Sequence, residues 1–405
     1  MQKILIASTF AATLVISACS DTTLAPEPIA PPSAKVDMAT FVSIGTSISM
    51  GWYNDGVLFS SQEQAWTRKV ANAAGVNFTM PMIAAPGCQP PLAAPLGSFA
   101  RVDGTSIASD SNVCGDLMTG STPGSSSLAV ENATALEALT ATPATASSGR
   151  GPVTSRVLPS GLTQITAMRA KKPTFVSVEF GGNEILPAQV GVLAPGVTFV
   201  PYATFADAYS KIIDSVKATG AKAVLVTLPT DLRKFPTIRT GAELASQRAV
   251  FAAMNVSVNA NCDASPNFFF VRGLVPTAVA TGAGLAAAGA GPYDLNCDDA
   301  PGKPDFILTP ADVNFLNDLA SQMNALITSK ASANGYAVFS LGALYDTAKD
   351  GVAFNVQSYM TSAAPYGPVI SLDGVHPNAA GHAVLAAAAI KAINARYGYT
   401  IAIPQ

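Results

Sequence analysis

The chain has 405 residues, 49% hydrophobic and 12% charged, with a net charge of −3. That composition supports a large buried core and excludes global disorder. It leaves no basic field to gather phosphates, which argues against a nucleic-acid partner.

In chain order, residues 1–18 come first as a secretory signal: one lysine, Lys3, then an uncharged, largely apolar run too short to cross a bilayer. The run ends in Ile16-Ser17-Ala18-Cys19, which resembles the lipobox of bacterial lipoproteins. The resemblance implies cleavage before Cys19 and lipidation of that residue. Ser20 rather than Asp follows, which in the enteric-type sorting rule favours the outer membrane. Residues 19–38 then form a Pro-rich tether, "LAPEPIAPPSAK" at its centre, that stays extended. The expected product is an exported, anchored protein of the cell envelope that touches the membrane through Cys19 and does not span it.

Beyond the tether, short β-branched and aromatic runs alternate with helical patterns. "ATFVSIG" (39–45) reads as a strand, and 60–75 as a helix with a Ser60/Glu63 capping box and Gly75 as its C-cap. "NFTMPMIA" (77–84) is a second strand candidate, weakened by Pro81. A helix at 160–172 precedes a strongly apolar strand at 174–183. A helix at 204–220, capped by Thr204, precedes a strand at 221–229, and "NFFFV" (267–271) is an additional strand candidate. Thr309 and Pro310 open a helix that ends on Gly335. A strand at 336–341 and a helix at 378–398 close the chain. Strand and helix alternating in this way predict a parallel sheet covered on both faces. Two large insertions, at about 88–159 and 231–308, and a shorter loop at 187–203 interrupt the rhythm. "GAGLAAAGAG" (282–291) is low-complexity sequence rather than a dinucleotide fingerprint, because it lacks a preceding strong strand and a fitting acidic partner.

With Cys19 lipidated, Cys88, Cys114, Cys262 and Cys297 remain. An exported chain can pair them in three ways. Cys88–Cys114 and Cys262–Cys297 are favoured, because each closes a loop within one irregular region.

The candidate chemistry begins at the end of the first strand, where Ser47 follows Gly45-Thr46. Serine hydrolysis needs a base of near-neutral pKa, and the chain has only two histidines, His376 and His382. Asp373 precedes His376 by three residues, a spacing that lets the carboxylate turn back to one imidazole nitrogen and fix its tautomer. His382 falls in the last helical pattern and reads as a surface or helix residue. A metal reading of Asp373, His376 and His382 has no further cluster of carboxylates or cysteines behind it. Asn183, just past the apolar strand, places an amide on the rim of the crevice, and Gly87 follows the second strand candidate.

In order, Ser47, Gly87, Asn183 and Asp373/His376 resemble the four blocks of the SGNH, or GDSL, hydrolases, through residues 40–398 with the insertions unmatched. The resemblance implies a three-layer α/β/α flavodoxin-like fold that hydrolyses esters without a cofactor. Ser47 would be the nucleophile, His376 the base and then acid, and Asp373 its orienter. The amides of Ser47 and Gly87 with the Asn183 side chain would form the oxyanion hole. Thr46 stands where the family usually carries an acid, Glu184 where it carries Asp, and the glycine block lacks the usual Asn-x-Gly. The α/β-hydrolase elbow G-x-S-x-G does not fit, since Ser49 occupies the second glycine position. The competing expectation is a non-catalytic surface lipoprotein that binds a ligand in the same crevice.

Overall fold

The computed structural model describes residues 33–107, 113–146 and 150–404, which fall in one compact unit. The signal segment, Cys19 and the tether as far as residue 32 lie outside the described residues; the rest of the tether is not extended as expected, since Ala34–Asp37 forms a helical turn.

Four short strands, each bracketed by polar turns, make the central sheet: β1 (Phe41–Ile44), β2 (Phe175–Val178), β3 (Lys222–Thr227) and β4 (Ala337–Ser340). They pair side by side in that order, all parallel, with Phe41 opposite Phe175 and Phe175 opposite Lys222. Because side chains alternate across a strand, each strand feeds both faces. Phe41, Phe175, Val224 and Phe339 meet α1 (Trp66–Ala74) and α5 (Ala379–Tyr397). Val42, Val176, Val178 and Leu225 meet α2 (Gln164–Ala170), α3 (Tyr202–Lys217) and α4 (Pro310–Asn334). The result is the expected three-layer α/β/α sandwich.

The second strand candidate does not form. Residues 77–82 run without strand pairing, and the place beside β1 is taken by Ser126–Val130, from within the first insertion. Ser43 donates to Ser126 O (2.9 Å), Leu128 to Ser43 O (2.8 Å) and Val130 to Gly45 O (3.1 Å). Thr79 bonds this segment instead of β1: Ser127 N–H donates to Thr79 O at 3.0 Å and Ser126 N–H to Thr79 Oγ1 at 3.1 Å. Pro81, lacking an N–H, fits that sparse pairing.

The helix expected over 60–75 breaks into Phe59–Gln62 and α1, because Gln62 turns inward to bond Pro81 O and Ile83 N. The first of these turns is capped through Leu58 and Ser61, not by Ser60/Glu63. α3 starts two residues before Thr204, with Pro201 as its N-cap. The 267–271 candidate forms a strand, Phe268–Phe270, but outside the main sheet, antiparallel between Ile238–Thr240 and Ile307–Leu308. The first six residues of the Gly/Ala run, 282–287, belong to a helix, Val271–Ala287. Both favoured disulfides, Cys88–Cys114 and Cys262–Cys297, are present.

α4 is built as its ends predict. Thr309 Oγ1 accepts the Asp312 N–H, the Asp312 carboxylate accepts the Thr309 N–H, and Gly335 ends the helix at φ 68°. Thr309→Ala should therefore cost about 1 kcal/mol of stability, read as a lower urea midpoint at unchanged m-value.

Candidate active site

β1 delivers Ser47 to the carboxyl edge of the sheet. The strand ends at Ile44, and after Gly45 and Thr46 the chain turns at once into a short helix, Ser47–Met50. Gly45 is required by contact: a Cβ there would lie 2.8 Å from the Glu179 carbonyl oxygen of the next strand. The opposite partner comes from a tight turn before α5. Gly374 adopts φ 72° and packs on Tyr366, where a Cβ would come within 2.7 Å of the ring. That turn folds the Asp373 carboxylate back over its own backbone.

Ser47, Asp373 and His376 then form a continuous series. His376 Nε2 lies 2.8 Å from Ser47 Oγ, and His376 Nδ1 lies 3.0 Å from Asp373 Oδ2. With the Nδ1 proton on Asp373, Nε2 is the acceptor for the serine proton. All three side chains are buried. Asp373 Oδ1 accepts the N–H groups of Val375 (2.9 Å) and His376 (2.8 Å), and Oδ2 also accepts the Asp55 N–H (2.8 Å). Burial alone would raise this carboxyl. The charge and hydrogen bonds of His376, with Arg272 nearby, outweigh it and hold Asp373 well below the usual range.

Asp55 is itself clamped. Arg101 reaches Oδ2 at 2.8 Å, Arg272 reaches Oδ1 at 2.7 Å, and Gln89 donates to Oδ2 at 2.9 Å. Gln89 sits next to Cys88, so the Cys88–Cys114 bridge steadies this support.

Asn183 is where expected, buried just past β2 on the wall of the cavity that Ser47 and His376 line. One amide hydrogen goes to Ala133 O at 3.0 Å, leaving the second for a ligand. Gly87 is not where its expected role needs it. Its N–H is already donated to Ala84 O (3.0 Å) in a turn against Val57, and it is absent from that cavity's wall. His382 lies on α5 but is buried, not at the surface, and burial pushes its imidazole down to about 3. It stands apart from the series, whose histidine already has both ring nitrogens engaged by Asp373 and Ser47.

Glu179 was missed by sequence reasoning. It is fully buried at the end of β2, and its carboxylate takes the Thr46 N–H (3.0 Å), the Thr46 hydroxyl (2.8 Å) and the Ser49 N–H (3.3 Å). It thus serves the first turn of the Ser47 helix, whose N–H groups have no partner within the helix. The signal was a lone acid in an apolar strand, "TFVSVEFGG". Burial raises the Glu179 carboxyl, against these hydrogen bonds. Glu184 is also buried and accepts the N–H of Ala135, the first residue of the helix Ala135–Thr140, at 2.7 Å.

A cavity of about 790 Å³, mouth included, opens beside Ser47 and His376. Its walls are mainly Ile185, Leu186, Leu228, Leu232, Phe235, Ile238, Phe270 and Leu316. A groove beyond it, lined by Asn132, Thr134, Glu137 and Thr204, shares Asn183, Leu186 and Gln189 with the cavity.

A serine, a histidine and an aspartate in hydrogen-bonded series, at the carboxyl edge of a parallel α/β/α sheet, have the geometry of a serine hydrolase triad. The family model of GDSL-like lipase/acylhydrolase matches residues 44–389, and the chain belongs to that family. Among curated proteins and among solved structures, none matches it significantly.

Burial pushes Glu131 and Glu184 up to about 7 each. Both hold protons in the native state that the unfolded chain releases near the ordinary glutamate range of about 4.3. Their contribution to stability should therefore be greatest below that range, fall as pH rises toward about 7, and level off above. Glu184→Gln keeps an acceptor for Ala135 and removes one of the two groups. It should remove that group's share of the fall, on the order of 2–3 kcal/mol, measured by urea denaturation at pH 5, 6, 7 and 8.

Proposed function

We propose that the protein is a carboxylic ester hydrolase that works through an acyl-Ser47 intermediate. The observation carrying this reading is the Ser47–His376–Asp373 series, 2.8 Å and 3.0 Å at its two links. Ser47 Oγ attacks the ester carbonyl carbon while His376 Nε2 takes its proton. The carbonyl oxygen, now negative, is held by the Ser47 N–H and the Asn183 side-chain amide. The tetrahedral intermediate collapses as the carbon–alkoxy bond breaks, and His376 returns the proton to the departing alkoxide. Water then enters, gives its proton to His376 and attacks the acyl carbon; the acid leaves and Ser47 regains its hydrogen. Asp373 keeps its charge throughout and stabilises the imidazolium.

The test is hydrolysis of a p-nitrophenyl ester chain-length series by protein starting at Lys35. Ser47→Ala should lower kcat on the order of 10⁴-fold or more while the fold is retained by circular dichroism. Unchanged turnover in that variant overturns the mechanism. The second reading, a ligand-binding lipoprotein, draws on Thr46, Glu184 and the weak glycine block. A serine-directed phosphonate separates the two, because labelling of Ser47 requires an activated hydroxyl.

The cell-envelope setting is part of the same proposal and rests on the lipobox-like Ile16-Ser17-Ala18-Cys19 followed by the Pro-rich tether. Metabolic palmitate labelling of the full chain in a bacterial host should be lost in Cys19→Ser. Equal labelling of the two proteins would refute the anchor.

A further inference from the structure

Resting on the ester-hydrolase reading, we propose that the ion pair Asp55–Arg272, one step removed from the series through Asp373, sets the pH range in which Ser47 and His376 work. Both are positioning residues that act by charge. Asp55 strengthens the hold of the series on a proton at His376, and Arg272 offsets it.

A count of charges carries the inference. Asp373 is joined to Asp55 through the Asp55 N–H (2.8 Å), and the Asp55 carboxylate is joined to Arg272 (2.7 Å) and Arg101 (2.8 Å). Two carboxylates and two guanidinium groups therefore balance while His376 is neutral. The proton that His376 takes from Ser47 brings a positive charge against Asp373, 3.0 Å from Nδ1. Without the Arg272 charge the network is one negative charge in excess, and that proton is held more firmly. Without the Asp55 charge the reverse holds. Asp373 and Arg101 are buried, so little water screens these charges; Arg272 is half-buried, which moderates its effect.

The placement of Arg272 points the same way. It is the second residue of the helix Val271–Ala287, an end at which the helix dipole disfavours a cation, so the ion pair must offset that cost. Its backbone is fixed from two sides: its N–H donates to Thr237 Oγ1 (3.3 Å), and its carbonyl accepts the Tyr359 hydroxyl (3.4 Å). Tyr359 meets Tyr366 edge to face, and Tyr366 is the ring on which Gly374 of the Asp373 turn packs. The charge is thus tied to the turn it acts on. Tyr345, Glu179 and His382 also face Asp373 and His376, Tyr359 and Tyr366 face Arg272, and Glu131 faces Asp55. Glu131, pushed up to about 7 by burial, gains charge within the range of interest and needs its own control.

The experiment follows two rates from pH 5 to 9: labelling of Ser47 by the serine-directed phosphonate, and kcat/KM on a p-nitrophenyl ester. Both should rise with pH as the base loses its proton. Arg272→Gln should move the midpoint of that rise up by about one pH unit. Asp55→Asn keeps the backbone N–H to Asp373 and should move the midpoint down by a similar amount. Arg272→Lys keeps the charge and loses the fork, and should restore the midpoint whatever its plateau. The same shifts should persist in a Glu131→Gln background. Equal midpoints in Arg272→Gln and Arg272→Lys, shifts of the opposite sign, or shifts that vanish with Glu131→Gln overturn the proposal. If Arg272→Gln does not fold by circular dichroism, Asp55→Asn decides, and a midpoint unmoved or raised there overturns it. If the unmutated protein neither cleaves the ester nor takes the label, the hydrolase reading falls and this one with it.

Discussion

The site depends on one buried carboxylate. Asp373 has no solvent exposure and receives four hydrogen bonds, from the amides of Asp55, Val375 and His376 and from the His376 ring. An unpaired buried carboxylate is very costly, so those donors are a condition of its staying ionised. Two come from its own turn, but the Asp55 amide arrives from a loop 318 residues away in sequence. That loop is fixed in turn by Arg101, from the first insertion, and Arg272, from the second. Both insertions thus end on the same support. Far from being ornaments on the α/β/α core, they hold the carboxylate that bonds the His376 ring.

What was legible in the sequence follows the range of the contacts involved. α4 was readable to the residue because Thr309, Pro310, Asp312 and Gly335 state its ends locally. The Asp373–His376 relation was readable because it is a three-residue turn. The strand beside β1 was not, because pairing is decided by long-range competition: Ser126–Val130 carries a better run of free amides and carbonyls than a segment interrupted by Pro81. Gly87 failed for the same reason. A glycine after a presumed strand says nothing of where its N–H points, and here a turn from Ala84 to Gly87, just before Cys88, claims it. Glu179 was visible as a charge in an apolar strand, yet its meaning appears only when Thr46 is seen across from it.

Two of the three departures from the family pattern have a common physical reading. At position 46 the chain carries a hydroxyl instead of an acid, but the neighbouring strand brings a carboxylate to that hydroxyl and to the amides of Thr46 and Ser49. What the Ser47 turn needs is an acceptor at its open amino end, and an acceptor can be supplied from β2 as well as from β1. At position 184 the longer acid spans to the Ala135 amide and caps a different helix. At both places a buried carboxylate meets a helix start, and at position 46 it is supplied by Glu179 at the end of β2.

That arrangement bears on the choice between turnover and simple binding. Glu179 and Glu184 are buried acids whose carboxyls are pushed up by desolvation, so each weakens the fold at neutral pH unless its contacts offset the loss. A crevice that only bound an apolar ligand would gain nothing from an acid holding the first turn at Ser47, and an apolar residue of the same volume would serve better. A nucleophile does gain, because its oxygen must remain within hydrogen-bond reach of His376 while its amide faces the reacting carbonyl. Glu179 thus steadies the position of Ser47 at the expense of the scaffold, a balance that suits a nucleophile better than a passive wall.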